Sequence, residues 1–139
     1  MAGIGRGQLQ TLPEYIGRKK ALYEGYQKGF STNPFLSMNP YRQDSSPNFW
    51  LSCIRISDHS PVSPDDIIDA LEKENIESRP IWKPMELQPF YKDCDFFPHE
   101  EGKEPVGEAI FRRGLCLPSD IKMTKQDQDR VISIVNGLF

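Results

Sequence analysis

The residues with the most chemical potential lie between Glu77 and Tyr91, in the run Glu-Ser-Arg-Pro-Ile-Trp-Lys-Pro-Met-Glu-Leu-Gln-Pro-Phe-Tyr. Trp82, Phe90 and Tyr91 carry flat apolar faces, Arg79 and Lys83 carry positive charge, and Glu86 carries a carboxylate. Pro80, Pro84 and Pro89 fix φ and remove backbone donors, so no helix can cross the run. Arg79, Lys83 and Gln88, each before a proline, are pushed toward extended geometry. A stiff, extended, aromatic and charged segment suits the recognition of a ligand. The plainer alternative is a strand running into a proline-rich surface loop packed by its own aromatics.

Other chemistry is thin. Cys53, Cys94 and Cys116 are scattered and odd in number, which makes neither a disulfide framework nor a zinc site. Cys53 and Cys116 fall in apolar runs and read as buried small hydrophobes. His59 and His99 are the only histidines, and no second histidine follows His99-Glu100 at metal-ligand spacing, so no metal is expected. Gly3-Ile-Gly-Arg-Gly7 resembles a phosphate-cradling loop, but no apolar strand precedes it and no Lys-Ser/Thr follows.

The elements that must position these groups fit one domain of 139 residues, 37% hydrophobic and 27% charged. The net charge of −3, without a basic stripe, disfavours a nucleic-acid partner. No apolar run is long enough to span a bilayer. The N-terminus lacks the apolar segment of a signal peptide, and the expected location is cytoplasmic.

Leu9, Leu12, Ile16, Tyr23 and Tyr26 recur at helical spacing and predict an opening helix, with a break or kink near Thr11–Leu12 ahead of Pro13. Its tyrosines and glycines suggest that something packs closely on it. Phe30 to Pro47 reads as loop. Phe49 to Ile56 is the clearest strand. Ser63-Pro64-Asp65-Asp66 opens a second helix with apolar Ile67, Ile68 and Leu71, ending near Asn75 as a left-handed cap. Ile76 to Trp82 reads as a second strand. Lys92 to Pro105 is an acidic excursion anchored by Phe96 and Phe97. Val106 to Arg113 suits a short helix, Leu115–Leu117 a third strand, and Thr124 caps a last helix carried by Val131, Ile132, Ile134 and Val135. The expected fold is α/β (α+β), with a small three-stranded sheet and helices on one face.

Three blocks taken together carry a resemblance: Ala2-Gly-Ile-Gly-Arg-Gly-Gln-Leu9, Arg79-Pro-Ile-Trp-Lys-Pro-Met-Glu-Leu-Gln-Pro89, and Phe111-Arg-Arg-Gly-Leu-Cys-Leu-Pro-Ser119. In order and spacing they resemble the C-terminal third of the DegT/DnrJ/StrS family of pyridoxal-phosphate-dependent aminotransferases. The resemblance implies the C-terminal domain of a fold-type I aminotransferase, with residues 1–29 as a long connecting helix between domains and residues 30–139 as the small domain. It implies amino transfer from glutamate to a nucleotide-linked keto sugar, and usually a homodimer with the active site at the subunit interface. The Schiff-base lysine and the aspartate that pairs with the pyridine nitrogen lie, in the family, upstream of the block at Ala2–Gly7, in a large N-terminal domain missing here. The chain alone is therefore expected to bind no pyridoxal phosphate and to be catalytically silent.

By the same match, Trp82, Lys83, Met85 and Glu86 are the residues expected to line the substrate cleft. Lys83 would meet a phosphate or carboxylate as a point charge, and Trp82 would offer a flat face to a sugar or base. Lys83 is not expected to serve as the covalent lysine, because Glu86 beside it would favour its charged form. The family usually has histidine where this chain has Glu86; a carboxylate there would repel a diphosphate but accept from sugar hydroxyls. Arg112-Arg113 reads as a solvated helix end, with Arg113 alternatively paired to an acid at a domain interface. The rival reading is a stand-alone, non-catalytic binding or scaffold domain derived from such an enzyme.

Overall fold

A computed structural model describes residues 2–139 of the chain. Helix α1 spans Ala2–Gly29, strand β1 Leu36–Met38, strand β2 Ser52–Ile56, helix α2 Pro64–Lys73 and strand β3 Arg79–Pro80. Single 3-10 turns follow at Met85–Leu87 and Pro89–Tyr91, then helix α3 (Val106–Arg113), strand β4 (Gly114–Leu117) and helix α4 (Lys125–Asn136). The strands form one antiparallel sheet in the order β1-β2-β4-β3.

Alternation along the strands sorts the two faces. Leu36, Ile54, Ile56, Leu115 and Leu117 turn inward and meet Tyr26 and Phe30 of α1, Ile67 and Leu71 of α2, and Val131 and Val135 of α4. Cys53 and Cys116 are paired across β2 and β4, offset by one residue from Ile54 and Leu115, and so turn to the opposite face.

Both expected N-caps, Ser63 and Thr124, are present, and each is one half of a capping box. The Ser63 hydroxyl accepts from Asp66 N (3.2 Å) while the Asp66 carboxylate accepts from Ser63 N (2.8 Å). Thr124 and Asp127 repeat the exchange at α4 (3.2 and 2.9 Å). These hydrogen bonds hold the Asp66 and Asp127 carboxyls below their ordinary range, the side-chain bond from the capping hydroxyl being the larger cause. Asn75 takes φ 58° and stops α2 as expected.

Five expectations are corrected. The opening helix runs unbroken through Pro13, on turns exposed enough for water to take the carbonyl that the proline leaves unpaired. The sheet has four strands, because Leu36 and Met38 pair with Ile56 and Ile54 inside the stretch expected to be loop. The strand expected over Ile76–Trp82 reduces to Arg79–Pro80, an edge position where the missing N–H of Pro80 can be tolerated. Phe49 adopts φ 51°, so β2 starts only at Ser52. The helices do not all share one face: α3 contacts β2 and β4 from the side where Ile110 O and Ile81 crowd Gly114.

Packing between α1 and α4 answers the expectation of a close neighbour. A Cβ on Gly25 would collide with the Gln128 amide, and one on Gly29 would stand 2.5 Å from Ile132 Cδ1 and 2.9 Å from both Ile132 Cγ atoms. Gln128 is buried and donates from Nε2 to Leu22 O at 2.6 Å. Of the apolar face read from the sequence, Tyr23 and Tyr26 are buried, while Leu9 and Leu12 are exposed.

Candidate functional site

The site is built where β2 begins, β4 ends and the chain leaves β3. Ser119 fixes the end of β4: its hydroxyl accepts from Ser52 N (3.0 Å) and donates to Leu117 O (2.9 Å). Helix α1 holds the same corner through three side chains. Lys19 Nζ donates to Trp50 O (3.0 Å) and to Ser119 O, Tyr26 donates to Pro118 O (2.9 Å), and Tyr23 donates to Asn39 O (2.8 Å). Burial pushes the Tyr23 and Tyr26 hydroxyls above their ordinary pKa, for Tyr23 with a smaller contribution from Tyr41, so both stay protonated donors.

On this frame two indoles meet. The positive φ of Phe49 turns its ring into an aromatic cluster with Tyr23 and Tyr41, centroids 5.3 to 5.8 Å apart. The next residue, Trp50, is thrown outward and lies against Trp82 with centroids 5.9 Å apart and planes tilted by 35°. Both remain more than 60% exposed. Together they border a cavity of about 360 Å³ whose lining also includes Ser78, Arg79, Cys116 and Pro118. Arg79 donates to the Glu77 carboxylate at the rim (2.5 and 2.8 Å). Ser78 Oγ is buried without a hydrogen-bond partner, a condition that costs free energy.

Within this chain the four residues expected to line the substrate cleft do not share one pocket. Trp82 joins the cavity with Trp50. Lys83 is exposed, and its carbonyl accepts from Gln88 Nε2 at 3.0 Å. Met85 is exposed on the first 3-10 turn. Glu86 lines a different pocket, of about 290 Å³, with Phe96, His99 and Lys103. No Lys83–Glu86 ion pair forms among the described residues, because the intervening Pro84 and 3-10 turn send the two side chains apart. The loop's own aromatics pack only in part: Phe90 meets Tyr91 edge-on at 5.2 Å but stays almost fully exposed, and in the excursion after it Phe97 is almost fully exposed and Phe96 half exposed, so neither anchors it as expected. The run from Lys92 to Glu104 is exposed throughout, and Phe96 borders only the shallow surface of Pro98, Pro105 and Val106. Arg113 pairs with Asp58 (3.2 Å) and Arg112 with Glu104, both within the chain.

Trp50 escaped the sequence reading because it was counted into a strand. In strict alternation it would share the inward face with Ser52 and Ile54. The turn signal Pro47-Asn48 just before it was the available warning: Asn48 Oδ1 accepts from Trp50 N at 3.0 Å, an Asx turn that ends the alternation.

A pyridoxal phosphate site requires an amine able to lose its proton, a carboxylate for the ring nitrogen and donors for the phosphate. Lys83 stands in solvent with no carboxylate at bonding distance, and Lys19 is engaged by two carbonyls. These residues do not by themselves make such a site.

EpsN of Bacillus subtilis, provisionally named a pyridoxal phosphate-dependent aminotransferase, is 34% identical over the whole chain, which covers 35% of its length. The GDP-perosamine synthase of Caulobacter vibrioides is 26% identical over 99% of the chain and 36% of its own length. The aminotransferase TlmJ from Streptoalloteichus hindustanus superposes with a TM-score of 0.79 at 25% identity, over 98% of this chain and 35% of that one. The chain thus spans about a third of the length of the relatives it matches. Their mixed helix and antiparallel sheet is part of the fold-type I aminotransferase architecture, and residues 1–136 match the sequence profile of the DegT/DnrJ/EryC1/StrS aminotransferase family, to which this chain belongs.

Proposed function

We propose that the chain is the small C-terminal domain, with its connecting helix, of an enzyme that moves an amino group from glutamate to the ketone of a nucleotide-linked sugar. Residues 1–29 link it to a large domain, residues 30–139 close the substrate cleft, and the complete enzyme is a cytoplasmic homodimer. Pyridoxal phosphate supplies the electron sink when bound in the complete enzyme, and the covalent lysine comes from outside this chain. The contribution of this piece is binding and closure. Trp82 offers a flat face to the sugar, Lys83 meets a phosphate, and Met85 and Glu86 border the cleft.

The observation that carries the reading is the exposed ridge of Trp82, Lys83 and Met85 on a backbone stiffened by Pro80, Pro84 and Pro89. Exposed aromatic and cationic groups on a rigid support are pre-organised for a ligand. The test is kinetic. In the complete enzyme, Trp82→Ala or Lys83→Ala raises KM for the sugar nucleotide while KM for glutamate stays near the parent value. Equal shifts for both substrates, or none, would remove these residues from the sugar side of the cleft.

The rival reading, a free-standing binding domain, draws on α1. Ile4, Leu9, Leu12 and Tyr15 are exposed along its first turns, and such a surface is a ready contact for another protein. A protein that carries this chain but no domain with a Schiff-base lysine would favour that rival.

A further inference from the structure

We propose that Trp50 and Trp82 act as one aromatic wall, and that the cavity they border with Ser78 and Arg79 receives the pyranose ring of the nucleotide sugar. This rests on the reading above and names the part of the substrate that this corner recognises. Three observations carry it. First, the two indoles touch at 5.9 Å and are tilted by 35°, so no parallel slot opens between them for a planar base; a ligand rests on their outer faces. A pyranose offers such faces a patch of C–H groups. Second, the cavity mixes donors and acceptors: the Arg79 guanidinium and the Glu77 carboxylate both belong to its lining. Vicinal sugar hydroxyls, each a donor and an acceptor, answer that mixture, whereas a diphosphate would be repelled by Glu77. Third, Trp50 is held outward at a cost. Phe49, a bulky residue, sits at φ 51°, in the left-handed region that L side chains rarely adopt. Lys19 clamps the Trp50 carbonyl to α1. The volume of about 360 Å³ suits one sugar ring.

The experiment uses the complete protein that contains this chain. Calorimetric titration with UDP-glucose, dTDP-glucose and GDP-mannose, each beside its free nucleoside diphosphate, identifies the nucleotide bound and gives both affinities. Trp50→Ala is expected to weaken the nucleotide sugar about threefold to tenfold and to leave the diphosphate within about twofold. Trp50→Phe, which keeps a flat face, retains most of the affinity. If Trp50→Ala weakens sugar nucleotide and diphosphate alike, the wall serves the base or phosphates, and the sugar assignment is overturned. An unchanged affinity with altered sedimentation makes the indoles an interface between proteins, which also overturns it. If the parent protein binds none of the three nucleotide sugars, the proposed function itself fails; binding that ignores Trp50 sinks the subsite alone.

Discussion

Gly29→Ala is the substitution whose outcome the packing decides most clearly. Alanine is the better helix former by about 1 kcal/mol in a helix interior, and by less at the last residue of α1. Against this gain stands the new methyl, 2.5 Å from Ile132 Cδ1 and 2.9 Å from Cγ1 and Cγ2. All three atoms belong to one β-branched side chain, whose χ1 is nearly fixed in a helix, so no rotamer clears them together. The ends of α1 and α4 must part, at an overpacking cost of about 1–3 kcal/mol. Separation also stretches the bond from Asn136 Nδ2 to Gly29 O (3.0 Å). The expected net loss is about 1–3 kcal/mol in urea unfolding followed by far-ultraviolet circular dichroism. Ile132→Ala alone, at a partly buried site, should cost about 2 kcal/mol. In the double variant the collision is gone, so it should be no less stable than Ile132→Ala, a coupling of about 1–3 kcal/mol. Simple additivity of the two losses, or a Gly29→Ala chain more stable than the parent, would refute the close contact between the helices.

The same unfolding assay reports the caps. Thr124→Ala should cost about 1 kcal/mol, and amide hydrogen exchange that quickens first in α4 would distinguish it from a general effect. Because the Asp66 and Asp127 carboxyls are held below their ordinary range, their share of stability is present above about pH 4 and is lost as pH falls further; Asp127→Asn should flatten that part of the pH profile. Burial, then the neighbouring Cys116 thiol, push the Cys53 thiol up to about 12. At pH 8, iodoacetamide should therefore modify exposed Cys94 well before Cys53, as read by peptide mass spectrometry. The folded state keeps the Cys53 proton longer than the unfolded chain, so stability falls from about pH 8.5 upward, and Cys53→Ala should lessen that slope. Lys83, solvated and unpaired, should give no stoichiometric pyridoxyl adduct when this chain is treated with pyridoxal phosphate and borohydride, and a unique adduct there would count against the cleft role assigned to it.

Elements whose signal is local were legible. Ser63-Pro64-Asp65-Asp66 carries cap, first-turn proline and acids within four residues, and α2 begins at Pro64. Thr124 with Asp127 marks α4 in the same way. What escaped depended on partners distant in sequence. Leu36–Met38 becomes a strand only because Ile54–Ile56 offers a free edge to it. Trp50 reads as a strand residue until the left-handed turn at Phe49 is known. The cleft residues were named from one proline-rich run, but a 3-10 turn separates Trp82 from Glu86, and the true neighbour of Trp82 lies more than thirty positions upstream. Adjacency along an irregular segment does not imply a shared cavity: Trp50 and Trp82 meet although they flank β2 and β3, which β4 separates.

The placement of α1 ties the legible part to the rest. Within Lys19, Tyr23 and Tyr26, three side chains on neighbouring turns, every polar tip ends on a main-chain carbonyl at one corner of the sheet. Main-chain carbonyls cannot swing away as side chains can, so these bonds fix the loops of Asn39, Trp50 and Pro118–Ser119 to the helix as one rigid unit. The glycines that let α4 approach to contact, Gly25 and Gly29, lie on the same stretch and complete the clamp. The turns before Lys19 are largely exposed, with only Thr11 and Ile16 partly buried. Lys19→Met keeps the stem and removes the donors. It should leave the unfolding midpoint close to that of the parent while freeing Trp50, seen as a fall in tryptophan anisotropy that Trp82→Phe does not reproduce. An anisotropy unchanged by Lys19→Met would mean that the turn at Asn48 and Phe49 holds the indole without the Lys19 bond.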